Sequence, residues 1–190
     1  FTLPSSLTPD PYFIHTVGKY YREKYHQGRA EIVGDYVFSS NYERGEGFTT
    51  TDIGTNATRT ETYINLSPYT GPGAPSPVVK VNAAGYALSP RTVEVKVNGT
   101  IVSNTVMDFF DYVKISQTIN VSDISSGTAV IDVRNACLNS GDRMVIAKSE
   151  LIYARQFNFG GADNFYFELP ANPAGNYLEI TGFNYGAANP

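Results

Sequence analysis

Apolar and polar residues alternate with a period of two along much of this chain. The clearest run is Thr92–Val97, in which valine occupies every second position between threonine, glutamate and lysine. Side chains of a β-strand point to opposite faces in turn, so this pattern indicates a half-buried strand. Asn98 and Gly99 follow directly, and this pair tolerates the positive φ angles of a two-residue turn. The segment therefore predicts a β-hairpin.

Similar short runs recur along the chain and are separated by residues that favour turns. We expect strands at Glu31–Ser39, Thr60–Leu66, Val78–Ala87, Thr92–Val97, Thr100–Asn104, Tyr112–Val121, Thr128–Arg134, Met144–Phe157, Phe165–Leu169 and Tyr177–Phe183. Short, evenly spaced strands are typical of two packed sheets. The pattern thus predicts an all-β fold, a two-sheet antiparallel β-sandwich of jelly-roll type.

One segment near the N-terminus, Tyr12–Gln27, departs from this period and predicts a short helix. Its apolar residues recur every three or four positions: Ile14, Val17, Tyr21 and Tyr25. Gly28 follows the segment and is suited to end a helix.

Length and composition favour one domain. The chain has 190 residues, of which 42% are hydrophobic, and all-β sandwiches of this size commonly fold as a single unit. We expect residues 1–190 to form one β-sandwich domain, with residues 1–11 as a lead-in or linker. Because the sequence begins with Phe1 rather than Met, we expect it to be a segment excised from a longer chain, with a processed product as the alternative.

The charge balance bears on partners. The net charge of −4 provides no basic field for binding phosphates, so we expect no nucleic-acid partner. No run of residues approaches the length of about 18–20 apolar residues needed to cross a bilayer, so we expect no membrane insertion.

Candidates for catalysis are few. Cys137 is the single cysteine, and His15 and His26 are the two histidines. We interpret Cys137 as a buried free thiol, although a thiolate activated by a distant histidine remains an alternative. We assign no catalytic residue and expect this chain not to be an enzyme.

We expect no cofactor, but a calcium site remains an alternative because aspartate oxygens are suitable calcium ligands. The candidate ligands are Asp108, Asp111, Asp142 and Asp163. Each is also interpreted as a turn residue that bonds its own backbone.

Aromatic residues suggest a second function, that of a carbohydrate-binding module in which flat rings stack on sugars. Eight tyrosines could form such a platform: Tyr20, Tyr21, Tyr25, Tyr36, Tyr42, Tyr63, Tyr69 and Tyr86. Most are expected to fill the core, since the chain has no Trp. The loop residues Tyr42, Phe48 and Tyr69 are the better candidates for exposed contact.

Four segments in a fixed order give the chain a family resemblance. They are Glu43–Phe48 with its Gly-Glu-Gly-aromatic loop, Val93–Gly99, Glu150–Phe157 with Tyr-x-Arg-x-aromatic, and Asn164–Leu169. Over residues 30–184 the chain resembles the β-sandwich domain that precedes the catalytic domain of gingipain-related cysteine peptidases, particularly the PorU-like sortases of the type IX secretion system. It departs from that pattern in having Phe48 where the family has Trp.

The resemblance implies a non-catalytic accessory or interaction domain of an exported, surface or extracellular bacterial peptidase. The family's catalytic cysteine and histidine belong to a later domain, so no role is transferred to Cys137. The expected partners are neighbouring domains of the parent protein and protein cargo, with a glycan as the alternative. The expected interaction surface comprises Tyr42, Glu46, Phe48, Tyr69 and Arg155. Arg155 could bind a carboxylate through both guanidinium arms, although an ion pair within the domain, to Glu46 or Glu150, is the simpler interpretation.

Overall fold

A computed structural model describes residues 8–25, 29–30, 37–38, 47–169, 171–173 and 175–186. Within these residues the chain forms thirteen β-strands and one 3-10 helix, Val121–Ile124. The strands are β1 Phe13–Tyr20, β2 Lys24–Tyr25, β3 Arg29–Ala30, β4 Val37–Phe38, β5 Phe48–Thr49, β6 Ile53–Gly54, β7 Thr58–Tyr63, β8 Val78–Gly85, β9 Arg91–Val97, β10 Thr100–Met107, β11 Tyr112–Thr118, β12 Ala129–Ala136 and β13 Arg143–Arg155.

Two antiparallel sheets make up the main body of the fold. The first sheet has the order β1-β13-β8-β11, with β6 also paired to β13, and the second sheet has the order β10-β9-β12-β7. Two further two-stranded sheets are formed by β2 with β5 and by β3 with β4. The predicted all-β, two-sheet antiparallel sandwich is confirmed. No helix in the described ranges has the length and apolar character needed to cross a membrane.

The core lies between the two sheets and consists mainly of β-branched side chains. Val79 and Val81 of β8 are completely buried, and they belong to one cluster with Val93 and Val95 of β9 and Ile131 of β12. Burying each such side chain stabilises the fold by about 1.5–3 kcal/mol before the entropy of ordering is subtracted. The period-two pattern fixes which side of each strand faces this core.

The predicted hairpin is confirmed as β9 and β10. Asn98 and Gly99 have φ angles of 47° and 84°, and Thr100 pairs directly with Val97. Both central residues therefore adopt the left-handed conformation that a primed turn requires. The other strands predicted between residues 58 and 157 lie within a few residues of their expected positions.

The predicted helix at Tyr12–Gln27 is wrong. β1 pairs with β13 along its whole length, from Phe13 opposite Arg155 to Tyr20 opposite Lys148, and residues 24–25 form β2. An isolated helix of this length is marginally stable in water, whereas the strand gains a ladder of backbone hydrogen bonds at the sheet edge. Residues 26–28 lie outside the described ranges.

The C-terminal segment also differs from the expectation, since Phe165–Leu169 and Tyr177–Phe183 are not strands. Thr181 makes backbone hydrogen bonds with Phe157 and Phe159, at 2.8 and 2.9 Å. The alternating apolar residues instead fill a second cluster, which contains Phe13, Phe157 and Phe159 with Ala162, Phe165, Phe167, Leu169 and Leu178 packed against them. Of the predicted strand Glu31–Ser39, only residues 37–38 are described, as β4.

A buried ion pair links the two sheets. Arg91, the first residue of β9, donates from Nε and Nη2 to both carboxylate oxygens of Asp142, at 2.8 and 2.7 Å, and both side chains are fully buried. Asn135 donates to the same carboxylate at 2.8 Å, and Arg91 also donates to the Phe109 carbonyl at 2.8 Å. Gly85 leaves room for this arrangement, because a Cβ there would lie 2.1 Å from Arg91 Nη1.

Candidate functional site

The outer face of the first sheet contains a shallow groove lined with lysine side chains. Since Val79 and Val81 of β8 point into the core, the alternate residues Lys80 and Asn82 point away from it. The groove has a volume of about 330 Å³. Its lining residues are Lys80, Asn82, Lys114, Ile115, Ser116 and Lys148.

Strand register brings these side chains together from three neighbouring strands. Asn82 pairs with Lys114 of β11 on one side and with Lys148 of β13 on the other. One step along β8, Lys80 pairs with Ser116 and with Glu150. Directly opposite residues are about 5 Å apart and diagonal ones about 7–8 Å. The three lysines therefore surround Asn82, which is 4% exposed.

Glu150 is held in place at the edge of this groove. Tyr20 donates its hydroxyl to Glu150 Oε1 at 2.6 Å, and Lys148 donates to Oε2 at 2.9 Å. Burial acts to raise the pKa of Glu150, but the hydrogen bonds from Tyr20 and Lys148 and the charges of Lys148 and Lys80 outweigh it and hold this pKa below its usual value. Gly18 lies opposite Glu150, and a Cβ there would be 2.8 Å from Glu150 Cγ. The absence of a side chain at Gly18 thus makes room for the carboxylate.

Aromatic rings stand on both sides of the groove. Tyr20 is 65% exposed, and Lys148 Nζ lies 5.6 Å from the centre of its ring. On the far strand, Lys114 Nζ lies 5.3 Å from the centre of the Tyr112 ring. The row from Tyr20 to Lys114 crosses four strands, a span of about 14 Å. An exposed ring beside ammonium, amide and hydroxyl groups can stack on and hydrogen-bond to an extended polar ligand.

A second, more apolar surface lies at one end of the sandwich. It is a cleft of about 580 Å³ whose walls include Leu88, Val106 and Leu138. Leu138 is fully exposed and Val106 is 74% exposed. Arg134 lies at its margin and donates to the Asn56 side chain at 2.8 Å.

Cys137 contributes to this cleft as a buried residue. Its thiol donates to the Pro90 carbonyl at 3.3 Å and accepts a bond from the Asn139 amide at 3.4 Å. His15 instead packs against the rings of Tyr153 and Phe165, and burial together with the charge of Arg155 lowers the pKa of His15 to about 4. His26 lies outside the described residues. The interpretation of Cys137 as a buried thiol agrees with these contacts.

Three of the five residues predicted for an interaction surface are described, and they lie in separate places. Phe48 is exposed on β5 and meets the Tyr25 ring edge-on at 5.5 Å. Tyr69 stacks on Tyr12 at 5.1 Å and lines a hollow of about 310 Å³. Tyr42 and Glu46 lie outside the described residues. The contact roles of Phe48 and Tyr69 remain predictions.

Arg155, the fifth of these residues, is buried rather than presented to solvent. Its guanidinium donates to the Asn65 and Asn158 carbonyls, at 2.8 and 2.9 Å, and to the Tyr153 hydroxyl at 2.9 Å. The ion pair suggested with Glu150 is not formed, because the two residues point to opposite faces of β13. Arg155 therefore fixes the chain that leaves the first sheet.

Among the residues that the structure describes, no three His, Cys, Asp or Glu side chains cluster as metal ligands. Asp142 binds Arg91 instead. Asp108 accepts a hydrogen bond from the Phe109 amide at 3.0 Å, and Asp163 accepts one from the Asn164 side chain at 2.9 Å.

The groove itself was not recognised in the sequence, although part of its signal was present. The alternation in β8 already separates Lys80 and Asn82 from the core valines. Tyr20 is one of the eight tyrosines proposed for stacking on sugars, but a helix over Tyr12–Gln27 would not pair Tyr20 with Lys148. Only the register of four strands brings these residues together.

Comparison with known proteins shows similarity of fold. No protein-family model and no curated protein matches the chain. Among solved structures, dimeric latent PorU from Porphyromonas gingivalis matches with a TM-score of 0.54 and 12% identity, over 83% of this chain and 14% of PorU. The chain thus corresponds to a small part of that protein. At this identity the match shows a shared fold alone.

Two carbohydrate-binding modules give weaker matches. A CBM36-1 domain of a multidomain xylanase from the hindgut metagenome of Trinervitermes trinervoides has a TM-score of 0.41 and 10% identity, over 73% of this chain and 95% of the module. A family 35 module from Clostridium thermocellum has a TM-score of 0.36 and 15% identity, over 74% of this chain and 90% of the module.

Proposed function

We propose that this chain is a non-catalytic binding domain of a larger exported protein and that its ligand is a carbohydrate. The observation that supports this most is the groove on the outer face of the first sheet, with exposed Tyr20 at one end and lysine, asparagine and serine side chains along it.

The chemistry of the groove favours a sugar over a protein. Sugars present hydroxyl groups at their edges and apolar C–H groups on their faces. Lys80, Lys114 and Ser116 can bond such edges, while the Tyr20 ring can lie against a face. The cores of protein interfaces, in contrast, are depleted in lysine and glutamate.

Binding to an array of immobilised oligosaccharides tests this function. We expect the chain to bind at least one class of glycan and the Tyr20→Ala variant to lose that binding. Tyr166→Ala is the matched control, since Tyr166 is also exposed but lies in the C-terminal segment. Absence of binding across the array, or equal loss in both variants, would contradict the proposal.

A second candidate function is that of an accessory domain beside an exported cysteine peptidase, such as a gingipain-like enzyme or secretion sortase. It is favoured by the fold shared with part of PorU and by the apolar cleft, because exposed apolar patches commonly mark contacts between proteins. Leu138 and Val106 would then meet a neighbouring domain or protein cargo.

Two experiments test the second candidate function. One is sequencing the gene on both sides of this segment, and the other is a substitution in the apolar cleft. We expect the reading frame to encode a domain with a catalytic cysteine and histidine. Leu138→Ser should then weaken the association of this chain with that domain, whereas the distant control Ile101→Ser should not. A frame without such a domain would exclude this function.

A further inference from the structure

Two of the three groove lysines, Lys80 and Lys114, form no close ion pair with any residue that the structure describes. The ion pairs within the described part of the chain use other cations, namely Lys19, Lys24, Arg59, Arg91, Lys96, Arg134 and Lys148. Lys148 is engaged with Glu150, whereas Lys80 and Lys114 are not paired in this way. Counting Lys80, Lys114 and Lys148 against Glu150, the face carries a surplus of two positive charges within a chain whose net charge is −4.

Lys80 and Lys114 belong to a compact square of four residues on β8 and β11. Asn82 lies opposite Lys114, and Lys80 lies opposite Ser116. The two lysines occupy diagonal corners, about 7–8 Å apart at the backbone. Their long side chains can reach a common point above the sheet, where the exposed Ser116 hydroxyl supplies a further donor.

We propose that this square binds the acidic group of an anionic glycan. The inference rests on the proposed carbohydrate function and identifies the class of sugar. An anion here would accept charge-assisted hydrogen bonds from both ammonium groups, and these bonds are about twice as strong as neutral ones. The adjacent sugar rings would extend along the row toward Tyr20. A lysine ammonium acts as a point charge, so the square accepts a planar carboxylate or a tetrahedral sulfate.

The charge distribution argues against other polyanions. A nucleic acid or an anionic membrane would present many phosphates at once, and the net negative charge of the chain would repel them. A groove with a local surplus of two charges suits a ligand with widely spaced acidic groups.

Calorimetric titrations with matched pairs of glycans test the proposal. The pairs are oligogalacturonate with its methyl ester, and dextran sulfate with dextran, which also distinguish carboxylate from sulfate. We expect one acidic member to bind at least tenfold more tightly than its neutral partner and to weaken as salt is raised. Lys80→Gln and Lys114→Gln should each weaken this binding by roughly tenfold, the loss of one charge-assisted bond.

Lys96→Gln is the control because it makes the same charge change on the outer face of the second sheet. Equal binding of acidic and neutral glycans, or equal weakening by all three variants, would overturn the assignment of an acidic ligand and leave a neutral carbohydrate function standing. Failure of every glycan to bind would overturn both. Thermal melts of each variant establish that it is folded.

Discussion

The outer faces of the two sheets arise from the same alternation of apolar and polar residues, but the two faces differ in how far their charges are balanced. On the second sheet, Glu94 Oε1 lies 3.2 Å from Lys96 Nζ and 3.7 Å from Arg134 Nη1. Asp132 lies opposite Lys96 and accepts a bond from the Thr60 hydroxyl at 2.5 Å. Each charge on this face has an opposite charge beside it, which is the arrangement that stabilises neighbouring strands.

On the first sheet, three lysines share a single carboxylate. Lys148 forms an ion pair with Glu150, whereas Lys80 and Lys114 form no close ion pair with the residues described. Alternation along a strand therefore identifies which residues face solvent, but cross-strand register decides whether their charges cancel. This is how a chain with a net charge of −4 presents a cationic groove.

The largest effect is expected from breaking the ion pair that joins the two sheets, which would disrupt both faces. Asp142→Asn leaves the Arg91 guanidinium buried without its counter-ion, and we expect the free energy of unfolding to fall by about 3–5 kcal/mol. Asp132→Asn, which alters a partly exposed carboxylate, should cost less than about 1 kcal/mol. Urea denaturation measures both. Similar losses in the two variants would contradict the role assigned to the buried pair.

A smaller effect is expected from filling the space beside Glu150. Gly18→Ala places a Cβ against Glu150 Cγ and should displace the carboxylate from Tyr20 and Lys148. We expect a loss of about 1–3 kcal/mol in unfolding free energy, together with weaker glycan binding. Gly54→Ala is the control, since no atom lies within 4 Å of a Cβ at that position. An unchanged stability of Gly18→Ala would show that Glu150 is not held as described.

We expect Lys148 and Lys114 to differ in how much each contributes to the free energy of unfolding. Lys148→Gln removes a charged donor from buried Glu150 and should cost about 1–2 kcal/mol. Lys114→Gln removes a charge without a counter-ion and should change stability by less than about 0.5 kcal/mol. Chemical denaturation at low salt compares them directly. Equal costs would remove the distinction between paired and unpaired lysines.

A change in the pH dependence of stability is expected from His15, on the inner side of the first sheet. The pKa of His15 is about 4 in the folded chain and about 6.5 when unfolded, so the unfolded chain binds more protons between these values. Stability should therefore fall as the pH drops from about 6.5 to 4. His15→Phe should flatten the curve in that window. The lowered pKa of Glu150 acts only below its usual value of 4.5, which separates the two contributions.

Much of the sandwich could be predicted from the sequence because apolar and polar residues alternate with a period of two along its core strands. The valines of β9 and the turn at Asn98 and Gly99 indicate a hairpin without tertiary information. β1 could not be assigned in the same way, since its apolar spacing also fits a helix and its strand form depends on pairing with β13. The alternation of Phe165 and Phe167 was similarly ambiguous, because an aromatic cluster can bury them without a ladder.

The candidate site was less accessible to prediction for a related reason. Tyr20, Lys80, Lys114 and Lys148 are distributed over four strands and more than a hundred residues of sequence. Only the sheet order β1-β13-β8-β11 makes them neighbours. Arg155 shows the converse: an arginine beside aromatic residues suggested a surface contact, yet the carbonyls of two loops bind it inside the fold.

The most direct test of the central claim is a backbone amide NMR titration of the chain with the glycan that binds most tightly. We predict that the shifted amide signals will cluster on β8, β11 and β13 around residues 80–82, 114–116 and 148–150, and near Tyr20 on β1. Shifts confined to the second sheet or to the cleft around Leu138 would contradict the assignment of the binding surface.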